Sequence, residues 1–271
     1  MKPVARIGIS LPFALLADQG CPPAVTALSD AYGGVDRLLD AIAGMGTSSV
    51  ELRAVTAAAS AETVDRAVRR CAGAGLTVTV HGTLRGGITE EDFLAPYRGF
   101  REPVTVTVHA LTGCPASDTV HILQKIAAVC VRDGLPLCFA VENNRRKGTD
   151  DPGDSCEGAL GIASQVPGAG VCWDMGHFYY NALNFCQNGN AIPEPAFLCA
   201  AVHTHIHGVD HGRTHFPPGN GRLPLAGYIE ALQRAGYGGV YNFEPSIDRW
   251  EGVHPRDGVE ETLALLREIV G

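Results

Sequence analysis

No run in this sequence approaches the ~18 consecutive apolar residues of a membrane-spanning helix, so no helical span is expected. The nine cysteines contain no C-x-x-C pair, which leaves a zinc knuckle or dithiol redox motif without support. Their odd number, with Cys138 and Cys172 set inside apolar runs, reads as small hydrophobes in a reduced, cytoplasmic protein. Basic residues are outnumbered, 21 Lys plus Arg against 29 Asp plus Glu, and the net charge is −8. Duplex DNA binding draws its affinity from phosphate neutralisation, so this balance argues against a nucleic-acid partner. Linkers, internal repeats and low-complexity stretches are also missing, and one domain over residues 1–271 is expected. At the start, Lys2 and Arg6 precede an apolar stretch, but Gly8, Ser10 and Pro12 interrupt it and no small-x-small cleavage site follows. A first core strand is the better reading than a targeting segment.

What the chain does contain is a large apolar fraction, 45%, with only 18% charged residues, enough for a substantial core. Strand-like runs recur at 5–11, 49–54, 76–81, 103–109, 135–142, 170–174, 201–207 and 239–244. Between them the apolar spacing turns helical, as in Val35-Leu38-Leu39-Ile42, Val64-Ala67-Val68-Cys71 after the cap Ser60, Val120-Leu123-Ala127 and Leu263-Leu266-Ile269. Glycines such as Gly73, Gly75, Gly134 and Gly236 stand where helices would stop before the next strand. Eight strands alternating with helices predict a parallel sheet closed as a (β/α)8 TIM barrel. An open doubly wound sheet would carry a glycine-rich phosphate turn after its first strand, and here Ile9-Ser10-Leu11-Pro12-Phe13 follows instead.

The polar residues gather at the C-terminal ends of these runs: His81, His109, Glu142, Asp174, His205 with His207, and Glu244. His, Asp and Glu together number 10 + 29 of 271 residues, about one in seven, so six successive runs ending this way is far from chance. In a parallel barrel those ends form one rim, where such barrels carry their catalysis. Period-two alternation places small residues beneath the polar groups: Cys172 under Asp174, Ala140 under Glu142, Thr107 under His109. His203, His205 and His207 share one face at rising height and cannot all bind one ion.

Read together, several motifs resemble the xylose isomerase-like barrels, the superfamily of sugar isomerases, sugar epimerases and type IV AP endonucleases. They are Val141-Glu142-Asn143, Trp173-Asp174-Met175-Gly176-His177, His203-Thr204-His205, His215-Phe216-Pro217-Pro218-Gly219-Asn220-Gly221 and Phe243-Glu244-Pro245. The resemblance covers the C-terminal two thirds; Glu51 in the second run is in a frequent but non-diagnostic place. It implies a divalent ion, manganese first with magnesium, cobalt or zinc as alternatives, held by Glu142, Asp174, His205 and Glu244. It further implies proton transfer by Glu142 and Glu244 on a small carbohydrate, through an enediolate that the ion stabilises. His81, His109, His177, His207 and His215 are then expected to contact substrate. The same proton abstraction would also serve a dehydratase or lyase. A multi-zinc phosphodiesterase is a weaker alternative, because that branch expects an aspartate two residues before the late histidine, where this chain has Arg213. A non-catalytic binding barrel is the alternative from another class. Arg145-Arg146-Lys147 reads as a solvated loop or a clamp on a substrate oxyanion, Trp173 and Phe178 as packing residues or a sugar platform. Homo-oligomers that pack rim loops together are common in similar barrels, and one is expected here.

Overall fold

In the computed structural model, which describes residues 6–147, 151–186, 191–220, 222–250 and 252–271, eight parallel strands close on themselves. They are β1 (Arg6–Pro12), β2 (Thr47–Val55), β3 (Thr77–Gly82), β4 (Val104–His109), β5 (Leu137–Glu142), β6 (Gly170–Asp174), β7 (Ala201–Ile206) and β10 (Val240–Phe243). Around the barrel the order is β1-β10-β7-β6-β5-β4-β3-β2. Each strand therefore pairs with its sequence neighbour, and β10 closes the ring against β1. All eight runs read from the sequence are strands here, with ends that differ by at most two residues. His207 and Glu244 fall just past the strands that were expected to contain them.

The helices form as their apolar spacing dictates. Helix Ala61–Gly73 starts at Ser60, whose hydroxyl accepts the Thr63 backbone N–H, and it buries Val64, Ala67 and Cys71. Helix Ala116–Asp133 stops at Gly134, which takes the left-handed conformation at φ 65°. Outward-facing strand residues such as Ile9, Leu52, Val106, Val141, Trp173 and Phe243 are fully buried under this helical layer. Trp173 packs against Phe178 and Tyr228 at centroid distances of 5.8 and 5.0 Å, so it is a packing residue and not a sugar platform.

Inside the barrel the layers are small and polar. Ser10, Glu51, Thr107, Ala140, Cys172, His203, His205 and Asn242 are all buried there. Beyond β7 the chain forms an antiparallel hairpin absent from the sequence reading, β8 (Gly208–Asp210) with β9 (Arg213–Phe216). Its two turn residues, His211 and Gly212, both have positive φ (46° and 69°), the geometry that matches the twist of a tight hairpin. Asp210 and His211 lie in it. No helix among the described residues is long and apolar enough to cross a membrane.

Candidate functional site

At the C-terminal ends of the strands, the side chains expected from β5, β6, β7 and β10 converge. The His205 Nδ1 atom lies 3.2 Å from Glu142 Oε2, 3.6 Å from Glu244 Oε2 and 4.0 Å from Asp174 Oδ2. Glu142, Asp174 and His205 are at most 1% exposed and Glu244 is 5% exposed. Donor atoms that share one cation at ~2.1 Å in octahedral geometry are roughly 3.0–4.2 Å apart, so these spacings suit one ion. Glu142 Oε1, His205 Nδ1, Glu244 Oε2 and His177 Nδ1 are buried without a hydrogen-bond partner among the described residues. Three carboxylates and an imidazole with such orphaned atoms form a donor set for a hard-to-borderline divalent cation.

Histidines surround the carboxylates. Glu142 Oε2 lies 3.1 Å from His81 Nε2 and 3.0 Å from His109 Nε2. His177 Nδ1 is 3.1 Å from Asp174 Oδ2 and 3.4 Å from Glu142 Oε1, and His215 Nδ1 is 3.3 Å from Glu244 Oε2. His177, His207 and His215 form one group whose ligand atoms lie within 4.8 Å of one another, and His81, His109 and Glu142 form a second. Arg213, at the position where the endonuclease branch expects a carboxylate, is exposed and lies over the Phe216 ring.

Local backbone chemistry builds this arrangement. Asp174 ends β6 and caps helix Met175–Asn181, accepting the His177 backbone N–H on Oδ1 at 2.6 Å; this aims His177 back at the carboxylates. Asn143 ties β5 to β6, donating to the Asp174 carbonyl (2.9 Å) and accepting its N–H (2.8 Å). His207, expected from the sequence to contact substrate, is placed differently from the other rim histidines. The ring is fully buried, lines neither cavity at the mouth, and places Nε2 3.0 Å from Asp174 Oδ2. The chain leaves β7 at Ile206 and turns at Gly208 into the hairpin, which carries this ring inward. A Cβ at Gly176 would overlap it, so glycine there makes the space.

Burial would push the Glu142 carboxyl up, but the neighbouring His109 and His205 imidazoles outweigh it and hold it well below the ordinary range. Glu244 behaves alike, with burial opposed by His205 and His215. For His205 burial favours the neutral ring, yet Cys172 and the carboxylates of Glu51, Glu244 and Glu142 raise its pKa well above 6.5. Burial and the His207 ring lower His215 to about 4 against the pull of Glu244. The site is thus anionic at its centre and lined by imidazoles.

Two cavities open onto it. One, about 300 Å3, is lined by Arg53, His81, His109 and Glu244 among others. The other, about 220 Å3, is lined by His109, Glu142, Asn144, Arg145, Lys147, His177 and His215 with Glu244. Arg145 lies over the Tyr180 ring at 5.3 Å. Arg53 carries no signal in the sequence; its guanidinium donates to the Pro245 carbonyl and reaches the Ser246 hydroxyl, next to Glu244. Glu51, non-diagnostic in the sequence, is fully buried beneath the site, with His203 Nε2 and His205 Nε2 each 3.0 Å from its Oε2. The one sequence signal for it is a carboxylate at the centre of β2, between the apolar Val50 and Leu52 and on the inward face with Ser49.

A closed ring of eight parallel strands wrapped in helices, with carboxylates and imidazoles gathered at the strands' C-terminal ends, defines a (β/α)8 TIM barrel. Residues 117–269 match the family described as xylose isomerase-like TIM barrel, and the chain belongs to that family. The D-psicose 3-epimerase of Clostridium cellulolyticum H10 is similar in structure, at 14% identity and TM-score 0.65, over 97% of this chain and 99% of that one. A xylose isomerase domain protein of Alicyclobacillus acidocaldarius is similar at 15% identity and TM-score 0.63, over 98% of each chain. A sugar phosphate isomerase/epimerase of Parabacteroides distasonis is similar at 13% identity and TM-score 0.64, covering 98% and 96%. No curated protein sequence matches the chain.

Proposed function

We propose that this protein is a divalent-metal-dependent isomerase or epimerase acting on a small sugar, keto-sugar or polyol derivative. The observation that supports the reading most is the convergence of Glu142, Asp174, His205 and Glu244 around the His205 Nδ1 atom, at 3.2–4.0 Å. These four side chains would hold the ion. When bound, it supplies positive charge that polarises a carbonyl and makes the adjacent C–H acidic.

The rest of the chemistry falls to the chain. Glu142 and Glu244 come from strands three places apart around the ring and both line the second cavity, so both would reach a substrate lying there. One carboxylate takes the α-proton and the other returns a proton, which inverts the centre or moves the carbonyl by one carbon. His81 and His109 hold Glu142 Oε2, which leaves Oε1 as the oxygen to carry the proton. His177 and His215 line the cavity and would donate to substrate hydroxyls, and His109, with a 40% exposed side chain, meets substrate at the entrance. His207 supports Asp174 from behind.

Incubating the manganese-loaded protein with a panel of ketoses in D2O tests this. Deuterium is expected at the carbon next to the carbonyl. Loaded protein that washes in no deuterium from a broad panel would overturn the reading. A second reading, a multi-zinc phosphodiesterase, is supported by the two additional imidazole groups and weakened by Arg213 in place of a carboxylate. A content of about three zinc ions per chain, with cleavage of abasic DNA, would favour it.

A further inference from the structure

We infer that Glu51 is a positioning residue for the ligand His205: it fixes which ring nitrogen faces the proposed metal and thereby sets the affinity for the ion. The inference rests on the metal reading above but on separate contacts, all deep in the barrel. Glu51 stands on β2, a strand that contributes no ligand of its own, and is fully buried.

The donor directions around Glu51 follow from one chain of hydrogen bonds. The Asn242 amide, Nδ2, donates to the Ser10 hydroxyl oxygen at 2.8 Å. Ser10 then passes its own hydrogen to Glu51 Oε1 at 2.7 Å, and Asn242 Nδ2 also lies 3.4 Å from that oxygen. On the other side Oε2 faces two imidazole nitrogens, His203 Nε2 and His205 Nε2, both at 3.0 Å. A carboxylate is acceptor-only, so both imidazoles donate their Nε2–H to it. In neutral His205 this consumes the Nε2 side and leaves a lone pair on Nδ1. That is the atom buried without a hydrogen-bond partner and facing Glu142, Asp174 and Glu244.

The alternative tautomer would set an N–H at the centre of the ligand set and strand Glu51 against an imidazole lone pair in the core. A carboxylate behind a metal-binding histidine orients the ring and raises its basicity, and its loss commonly costs about 10- to 100-fold in metal affinity. His203 shares the same oxygen but does not approach the other carboxylates. It is a second anchor for Glu51 and not a ligand.

The test is manganese titration by calorimetry of the wild type, Glu51→Gln and His203→Gln, with folding checked by circular dichroism. The substituted amide has no charge to raise the basicity of the His205 ring, and its NH2 must face either the imidazoles or Ser10, so one of these two sides loses its acceptor. Glu51→Gln is expected to weaken manganese binding about 10- to 100-fold, and His203→Gln, which removes one of the two rings that anchor Glu51 but keeps its bond to His205, to weaken it by a smaller factor. A folded Glu51→Gln protein within about threefold of wild type would overturn the inference while leaving the metal reading intact. Wild type that binds no divalent ion would instead remove the metal reading, and the role of Glu51 toward an ion with it. Should Glu51→Gln not fold, the nitrogen-15 spectrum of the His205 ring in zinc-loaded wild type decides. A proton on Nε2 with zinc on Nδ1 upholds the inference, and the reverse pattern sinks it.

Discussion

His205 and Glu142, on strands β7 and β5 that are separated by β6, meet at 3.2 Å between Nδ1 and Oε2, both sealed from solvent. So close an approach of a carboxylate to a ring nitrogen calls for a shared proton or cation between the two. With Glu244 and Asp174 also facing that nitrogen, a divalent ion balances the site better than one proton.

Removing the proposed ion is therefore expected to expose the imbalance. Treatment with a chelator is expected to abolish deuterium exchange, and re-addition of about one manganese per chain to restore it. Binding should also stabilise the fold, by about 2.7 kcal/mol at a free concentration of 100 Kd, read as an upward shift of the melting temperature. A melting temperature unmoved by manganese, magnesium, cobalt and zinc would contradict this.

The two glutamates are expected to be unequal to their amides in either position. Glu142→Gln and Glu244→Gln should each lower turnover roughly 10^2- to 10^4-fold at saturating metal, the range of a lost acid–base group. If one of them costs less than tenfold, that carboxylate is not the base or acid.

Ala54 carries φ 64° where the β2–β3 register breaks between Arg53 and Val55. A left-handed alanine costs about 1–2 kcal/mol, while glycine adopts the conformation freely. Ala54→Gly is expected to stabilise the fold by up to about 1 kcal/mol in urea unfolding, and destabilisation would show that the Cβ contributes packing there.

Burial raises the Cys71 thiol from 9.0 to about 12, and raises the Tyr241 hydroxyl from 10.0 to about 12. Above pH 9 the unfolded chain loses these protons while the folded chain keeps them. Their contribution is thus complete below pH 9 and is lost as pH rises toward 12. Urea midpoints are expected to fall across that window. At about pH 8 the exposed Cys199 should react with a thiol reagent in the native protein, whereas Cys71, Cys130 and Cys172 should react only on unfolding.

Much of this fold was legible because its signals are local. Trp173-Asp174-Met175 shows an outward packing residue, an inward carboxylate and a helix start within three positions, and the structure realises each. The hairpin Gly208–Phe216 was not legible: its strands are three and four residues long, too short for a period to register. Glu51 was equally opaque, since its meaning depends on His203 and His205, more than 150 positions away.

By itself, then, the sequence determined the strands, their inward faces and the polar residues at the ends of the last six, since these follow from period-two alternation and capping within a few residues. Tertiary structure alone decided which atoms meet: that His205 Nδ1 sits among three carboxylates, that Glu51 grips its other nitrogen, and that His207 turns inward onto Asp174. The stagger of strands around a closed barrel sets those heights, and it is a property of the whole ring that no single segment encodes.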